Sequence, residues 1–392
     1  MRKRQSGGDS RLEPRLLCGF EAMEGLRSNW IALQNASPLS ENLFQHYGWC
    51  HHWCQTMLPT HELDDIRLLT VFQRDRLVFL LPLIQRQRLI SGSVWELLSH
   101  PTAQYTTALF DPAHDADRLM ELALEHLRDK GVTPDIIRLT QVPNTHRRVW
   151  AGHKNASTEV TDTAHVLDFT RFRDFDDHHT SLSKRTRKNL RQNERRFLRD
   201  HTLGEVVFQA GDPEFKRAIE TMLTWKQERF QADGIVSNSV GQADFHALLS
   251  SLPAQPECSN PHCHLLLVDG NPAAGQLLLV DEDRLYAYFI AFDPQFARMS
   301  PGNHHLHRVL KWAFENGYRS YDLLGNPEEY KRKLCNTRID MVDYVEAFSL
   351  RGRLALSLRI PTIKKGLKAG FYALPQSLRS FVADALAKRR SA

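Results

Sequence analysis

From residue 66 onward, short β-rich runs alternate with polar turns. Residues 66–72 and 77–83 are apolar runs separated by Arg74, Asp75 and Arg76, a spacing that predicts two strands joined by a tight turn. Residues 94–98 and 106–110 are further short strands. After Asp111 and Pro112 the period changes to 3.6, and Leu119, Leu122, Leu124 and Leu127 mark one face of an amphipathic helix. Lys130 and Gly131 end it with a basic last turn and a glycine cap. Residues 136–139 form the next strand.

The same order returns in the second half. Residues 264–268 read as a strand, Asp269-Gly270-Asn271 as a hairpin turn, and residues 273–280 and 285–292 as two more strands around Asp281-Glu282-Asp283. Asp293-Pro294 repeats Asp111-Pro112. A helix then runs through Leu306, Val309, Leu310, Ala313 and Phe314 to Asn316-Gly317, followed by a strand at 318–324. The pattern predicts an α+β fold made of two copies of one domain. The second copy spends about four more residues before its helix, in the stretch that ends at Ser300, Pro301 and Gly302. Extra backbone at a helix start is where N–H groups and the helix dipole can be aimed at an anion; an ordinary helix-entry turn is the alternative.

Composition refines this picture in three places. The 392 residues exceed one ordinary core, and no apolar run is long enough to cross a bilayer. The polar N-terminus and the six scattered cysteines point to a reduced, cytoplasmic protein. The net charge of +5 is unevenly spread: residues 181–199 carry eight basic side chains against Glu194, and residues 351–392 carry ten against Asp384. Basic segments of this kind report on anionic partners.

Read whole, residues 286–334 resemble the core of the GNAT superfamily, in its FemAB-like and CelD-type branch. The resemblance rests on the aromatic strand, Ser300-Pro301-Gly302 opening a helix, the Gly317 to Asp322 strand, and the Gly325 to Tyr330-Lys331 spacing. The basic run 181–197 is similar to the helix that opens the domain in that branch. The resemblance covers roughly residues 165–348 and implies two tandem GNAT-like domains. The expected boundaries are a disordered N-terminus (1–15), a degenerate first domain (16–158), an acyltransferase domain (159–349) and a basic amphipathic tail (350–392).

Membership would imply a transferase that takes acetyl-CoA or another acyl-CoA as co-substrate, with no permanently bound cofactor and no metal. It would place the donor along Phe289, Ile290, Ala291 and Phe292 and at Arg298, Met299, Ser300, Pro301, Gly302, Asn303 and His304. Ser300-Pro301-Gly302 departs from the usual basic, doubly glycine-rich pyrophosphate loop, and FemAB-like relatives use aminoacyl-tRNA, so that donor stays open as the alternative. The acceptor is expected to be an amine, on an amino sugar or a polysaccharide or cell-envelope precursor. A non-catalytic accessory subunit of polysaccharide biosynthesis is the reading from another class.

Acyl transfer to an amine needs a group to take the amine's proton and a donor to the leaving thiolate. Tyr330 is the preferred proton donor or acceptor-site residue, with Asp322, Glu328, Glu329, His304, His305 and His307 as candidate bases and Lys331 as a contact for phosphate or substrate carboxylate. Cys50, His51, His52 and Cys54 lie on an expected helix (41–57) beside Trp49 and Trp53, and read as core rather than metal ligands. His262-Cys263-His264 alternates across a strand and reads the same way. The tail stripe Leu378, Phe381, Val382 and Leu386 either packs on the protein or lies on an anionic membrane surface.

Overall fold

The computed structural model describes residues 11–38, 41–146, 156–234, 240–254, 259–326 and 328–358. They form two compact units: unit 1 holds the described residues of 1–54, 58–161 and 340–358, and unit 2 those of 55–57 and 162–339. The expected disordered N-terminus is corrected in part. Residues 12–15 belong to strand β1 (Leu12–Cys18), whose Leu12 to Cys18 pair antiparallel with Gln73 to Arg67.

Helices α1 (Gly19–Gly25), α2 (Arg27–Ala36) and α3 (Tyr47–Met57) follow. The expected helix 41–57 starts later, because His46 is extended and only a 3₁₀ turn precedes it. Cys50, Cys54, Trp49 and Trp53 are all buried in the core, as the apolar stripe suggested. Strands β2 (Ile66–Gln73), β3 (Arg76–Arg88) and β4 (Gly92–Leu97) form the meander, and β5 (Leu109–Phe110) is a two-residue addition to β3. Helix α4 (Ala116–Asp129) then crosses over to β6 (Ile136–Pro143), which lies parallel to β4. A parallel pair requires such a crossover.

Unit 2 repeats this plan. It is built from β7 (Ala156–Asp168), α5 (Phe175–Ser181), α6 (Lys184–Asp200), β8 (Leu203–Gln209), α7 (Pro213–Ala232) and α8 (Ala243–Ser250). The meander β9 (His262–Val268), β10 (Asn271–Asp281) and β11 (Arg284–Phe292) comes next. Helix α9 (Pro301–Glu315) crosses to β12 (Ser320–Asp322), parallel to β11, and the short α10 (Glu329–Leu334) follows. The chain then returns to unit 1 through β13 (Thr337–Ala347) and α11 (Leu350–Ser357).

The sheets have matching orders: β1-β2-β3-β4-β6-β13 in unit 1 and β8-β9-β10-β11-β12-β7 in unit 2. Each sheet has one parallel pair, at β4/β6 and β11/β12. In each, the sixth strand comes from the other half of the sequence: Met341 to Ala347 of β13 pair with Pro143 to Ile136, and Val166 to Asp168 of β7 with Asp322 to Ser320. The periodic helix residues do what their spacing predicts. Leu306, Val309, Leu310 and Ala313 of α9 pack with Leu278, Leu285 and Tyr321 of the sheet, each large apolar side chain contributing about 1.5–3 kcal/mol of burial.

Candidate functional site

Strand β11 pairs with β10 along its whole length, through a bulge between Leu277 and Leu278. With β12 it pairs only from Arg284 to Tyr286. From Ala287 to Phe292 its other edge is therefore unpaired with β12, and the two parallel strands part company. Phe289 and Ala291 are buried, and Ile290 and Phe292 half-buried.

The stretch in which the second copy is longer forms a six-residue 3₁₀ turn (Pro294–Met299) ending in Ser300, whose φ of 55° is left-handed. This is an uncommon conformation for a non-glycine residue and costs about 1 kcal/mol or more. Pro301 starts α9 with its fixed φ and no N–H to lose. The two crossover helices then differ at their first turn. Asp115 caps α4 by accepting from the N–H groups of Asp117 and Arg118, whereas Ser300 gives α9 no side-chain cap. Gly302 sits where a Cβ would come 3.4 Å from the Phe292 ring, so the loop lies close against the end of β11.

Beyond β12 the chain makes a second strained turn. Leu324 and Asn326 have φ of 58° and 66°, which ends the expected 318–324 strand at Asp322. Two buried side chains hold this turn. Lys331 donates from Nζ to the carbonyl oxygens of Leu323 (2.8 Å) and Gly325 (2.5 Å). Asp322 is fully buried, accepts from the Leu324 N–H at 2.8 Å and takes the Arg284 guanidinium at 2.5 Å. Both groups are thus engaged in holding backbone and charge. Burial lowers the pKa of Lys331, opposed by the charges of Glu328 and Asp322.

The turn delivers α10 to a cavity of about 210 Å³. Tyr330, Glu329 and Lys333 line it from α10, Asn303 from the start of α9, and Arg185, Asn189 and Asn193 from α6. Burial first, and then the charge of Glu328, push the Tyr330 phenol above its usual range, so it stays protonated. Glu328 is exposed beside Asn326, just before α10.

The structure therefore brings Tyr330 and Asn303 to one cavity, with Asp322 and Lys331 in the turn that carries Tyr330. Met299 and His304 instead pack on Phe197 of α6, the His304 ring centroid lying 5.2 Å from that of Phe197. Arg298 is exposed. His305 is buried next to Gln276, and His307 lies 3.3 Å from His179 with burial pushing it down to about 4.

One residue escaped the sequence reading. Lys226 of α7 donates from Nζ to the Ile290 carbonyl at 3.1 Å, beside the Phe289 ring. Burial, helped by the Arg229 charge, lowers it to about 8. Its signal was in the sequence: Lys226 falls four residues after Met222 and seven after Ile219, a cation on the buried stripe of a helix.

Residues 184–332 match the family model described as an acetyltransferase (GNAT) domain. No curated protein sequence matches the chain. Among solved structures, FemX matches with a TM-score of 0.56 at 13% identity, over 84% of this chain and 97% of that one. The C-terminal domain of a putative lysylphosphatidylglycerol synthetase from Agrobacterium fabrum matches with a TM-score of 0.53 at 15% identity, over 86% and 96%. L-PGS from Bacillus licheniformis gives 0.51 at 13% identity, over 83% and 97%. The likeness to these structures is one of fold, and the family match falls on the elements that build the cavity. Residues 184–332, within the second unit, are similar to a GNAT acetyltransferase domain, and the two units share one strand order.

Proposed function

We propose that unit 2 transfers an acyl group, acetyl in the simplest case, from acyl-CoA to an amine. The observation that supports this reading most is the contrast between the helix starts: α4 is closed by its own Asp115, while α9 follows a left-handed Ser300 and is left without a side-chain cap. An uncapped helix start beside a parted strand pair suits the donor's pyrophosphate and its extended pantetheine arm. Binding there would involve Phe289 to Phe292 of β11 and the 298–303 loop, with Met299 and His304 supporting the loop through Phe197.

In the transfer the neutral amine attacks the thioester carbonyl carbon, a C–N bond forms, and the C–S bond breaks. The amine's proton goes to Lys226, which is partly neutral near pH 8 and keeps a lone pair while donating to Ile290, or through water to Glu328. Tyr330 gives its proton to the leaving thiolate. Asp322 and Lys331 position Tyr330 rather than exchange protons. Most of the acceleration comes from aligning donor and amine. The acceptor we assign to an amino sugar or a polysaccharide or envelope precursor, and the compartment to the cytoplasm, where acyl-CoA is made. No helix among the described residues is long and apolar enough to cross a membrane.

A second reading has its own support. Helix α6 buries only Phe197, leaving most of its basic side chains in solvent, and FemX shares the fold. That surface suits the backbone of a charged tRNA. Calorimetry of the full chain with acetyl-CoA, longer acyl-CoAs and aminoacyl-tRNA separates the two. Micromolar binding of an acyl-CoA with turnover on an amine supports the first reading; binding of charged tRNA alone replaces it with the second. Binding of acyl-CoA without turnover on any amine points to an accessory subunit.

A further inference from the structure

We propose that unit 1 docks on an anionic lipid bilayer through the tip of the β3–β4 hairpin and the outer face of α11. The apolar residues most exposed in unit 1 gather on these two segments. Leu89 at the hairpin tip is 95% exposed and Leu350 is 83% exposed, while Ile90, Leu354 and Leu358 are each more than half exposed. Hairpin tips are ordinarily polar. Leu350, Leu354 and Leu358 repeat every four residues and so form one stripe on the helix.

Helix α11 is oriented opposite to an ordinary amphipathic helix. Its buried residues are Gly352 and Ala355, the two smallest it has, while Leu350 and Leu354 point outward and Leu356 is half-buried. The orientation is built in. Ser349 caps the helix by accepting from the Gly352 N–H at 3.0 Å, and its hydroxyl is bonded to Asp135. The other Asp135 carboxylate oxygen accepts from the Ser93 N–H at 2.8 Å, fixing the hairpin base to the same residue. A Cβ at Gly352 would come 2.2 Å from the Asp135 carbonyl oxygen, so the helix lies directly on backbone. Arg351 joins the two apolar segments, donating to the carbonyls of Leu89 (2.8 Å) and Ile90 (3.1 Å).

Charge identifies the partner. Arg88, Arg351 and Arg353 rim the leucines, Arg88 also pairing with Glu96, and neither residues 88–91 nor 350–358 contain an acid. The sequence that follows, residues 359–392, adds eight basic side chains against the single Asp384. Apolar anchors ringed by arginine are matched by acyl chains beneath anionic headgroups. None of these residues lines the cavity of unit 2, and the test does not depend on the assigned reaction.

The test is flotation of the full chain with vesicles of phosphatidylcholine alone or mixed with phosphatidylglycerol. The wild type is expected to float with the mixed vesicles, less so in high salt, and poorly with phosphatidylcholine alone. Leu89→Asp combined with Leu354→Asp should weaken partitioning about tenfold or more, with an unchanged melting temperature because both side chains are in solvent. Leu350→Gln with Ile90→Gln gives a second, milder pair should the first lose its fold. Failure of the wild type to float with anionic vesicles overturns the proposal. So does full flotation of the leucine variants, which would move binding elsewhere in the chain. A wild-type dimer that the same variants turn into a monomer, without lipid, would make the surface an interface between copies.

Discussion

Tyr330 and Lys331 are neighbours with different work. Tyr330 faces the cavity, so Tyr330→Phe should lower turnover by about 10²–10⁴-fold while leaving the urea midpoint nearly unchanged. Lys331 points the other way, into three backbone carbonyls, so Lys331→Met should cost about 1–3 kcal/mol of stability in urea unfolding and lose activity only as the turn loosens. Equal stability of the two variants would contradict this division. Lys226 supplies a pH signature. Its ammonium loses a proton near pH 8, so a rate that needs the neutral amine rises through that pH, and Lys226→Met should flatten the rise in a kcat/KM profile. The residue pair was legible in the sequence as a motif, but which member faces the cavity was not. That depends on the left-handed turn at Leu324 and Asn326, and neither residue type announces such a backbone.

At the level of elements, the helix and strand periods carried most of the fold. The strands near 66, 77, 94, 136, 264, 273 and 285 and the helices ending at Gly131 and Gly317 all lie where alternation or the 3.6 period places them. What periodicity could not show was pairing. Strand β13 looks like any strand after β12, and only tertiary hydrogen bonds with β6 send it to unit 1. The tail stripe from Leu378 to Leu386 lies outside the described residues. Helix α9 and strand β9 also set the acid limit of unit 2. Burial lowers His264 to about 3 and His307 to about 4, both below the unfolded value near 6.5. Between those values the unfolded chain binds protons that the folded unit refuses. These histidines therefore add no slope above pH 7, and stability is expected to fall as the pH drops from 6.5 toward 4, by up to about 1.4 kcal/mol per pH unit for each histidine. Urea midpoints measured across that range check the slope, and His264→Gln should reduce it.

At the scale of the whole molecule, sequence halves and structural units do not coincide. Unit 1 is completed by residues from the far end of the chain. A fragment ending at residue 158 should therefore expose the open edge of β6, elute as soluble aggregate in size-exclusion chromatography, and recover only when β13 is supplied. A well-behaved monomer from that fragment would show that the sixth strand is dispensable. Acyl-CoA should in turn protect the full chain against heat by about 2.7 kcal/mol at a hundredfold excess over its Kd, and a melting curve with and without donor measures it.

The late arrival of β13 also imposes an order on biosynthesis. A ribosome releases the segment that forms β6 and then goes on to make all of unit 2 before it delivers the strand that closes the first sheet. At ordinary elongation rates of about 5–20 residues per second, that wait lasts on the order of ten seconds or more. Throughout it the nascent first half carries an unpaired edge, the kind of surface that chaperones bind. The half of the protein that is translated first is the half that finishes folding last.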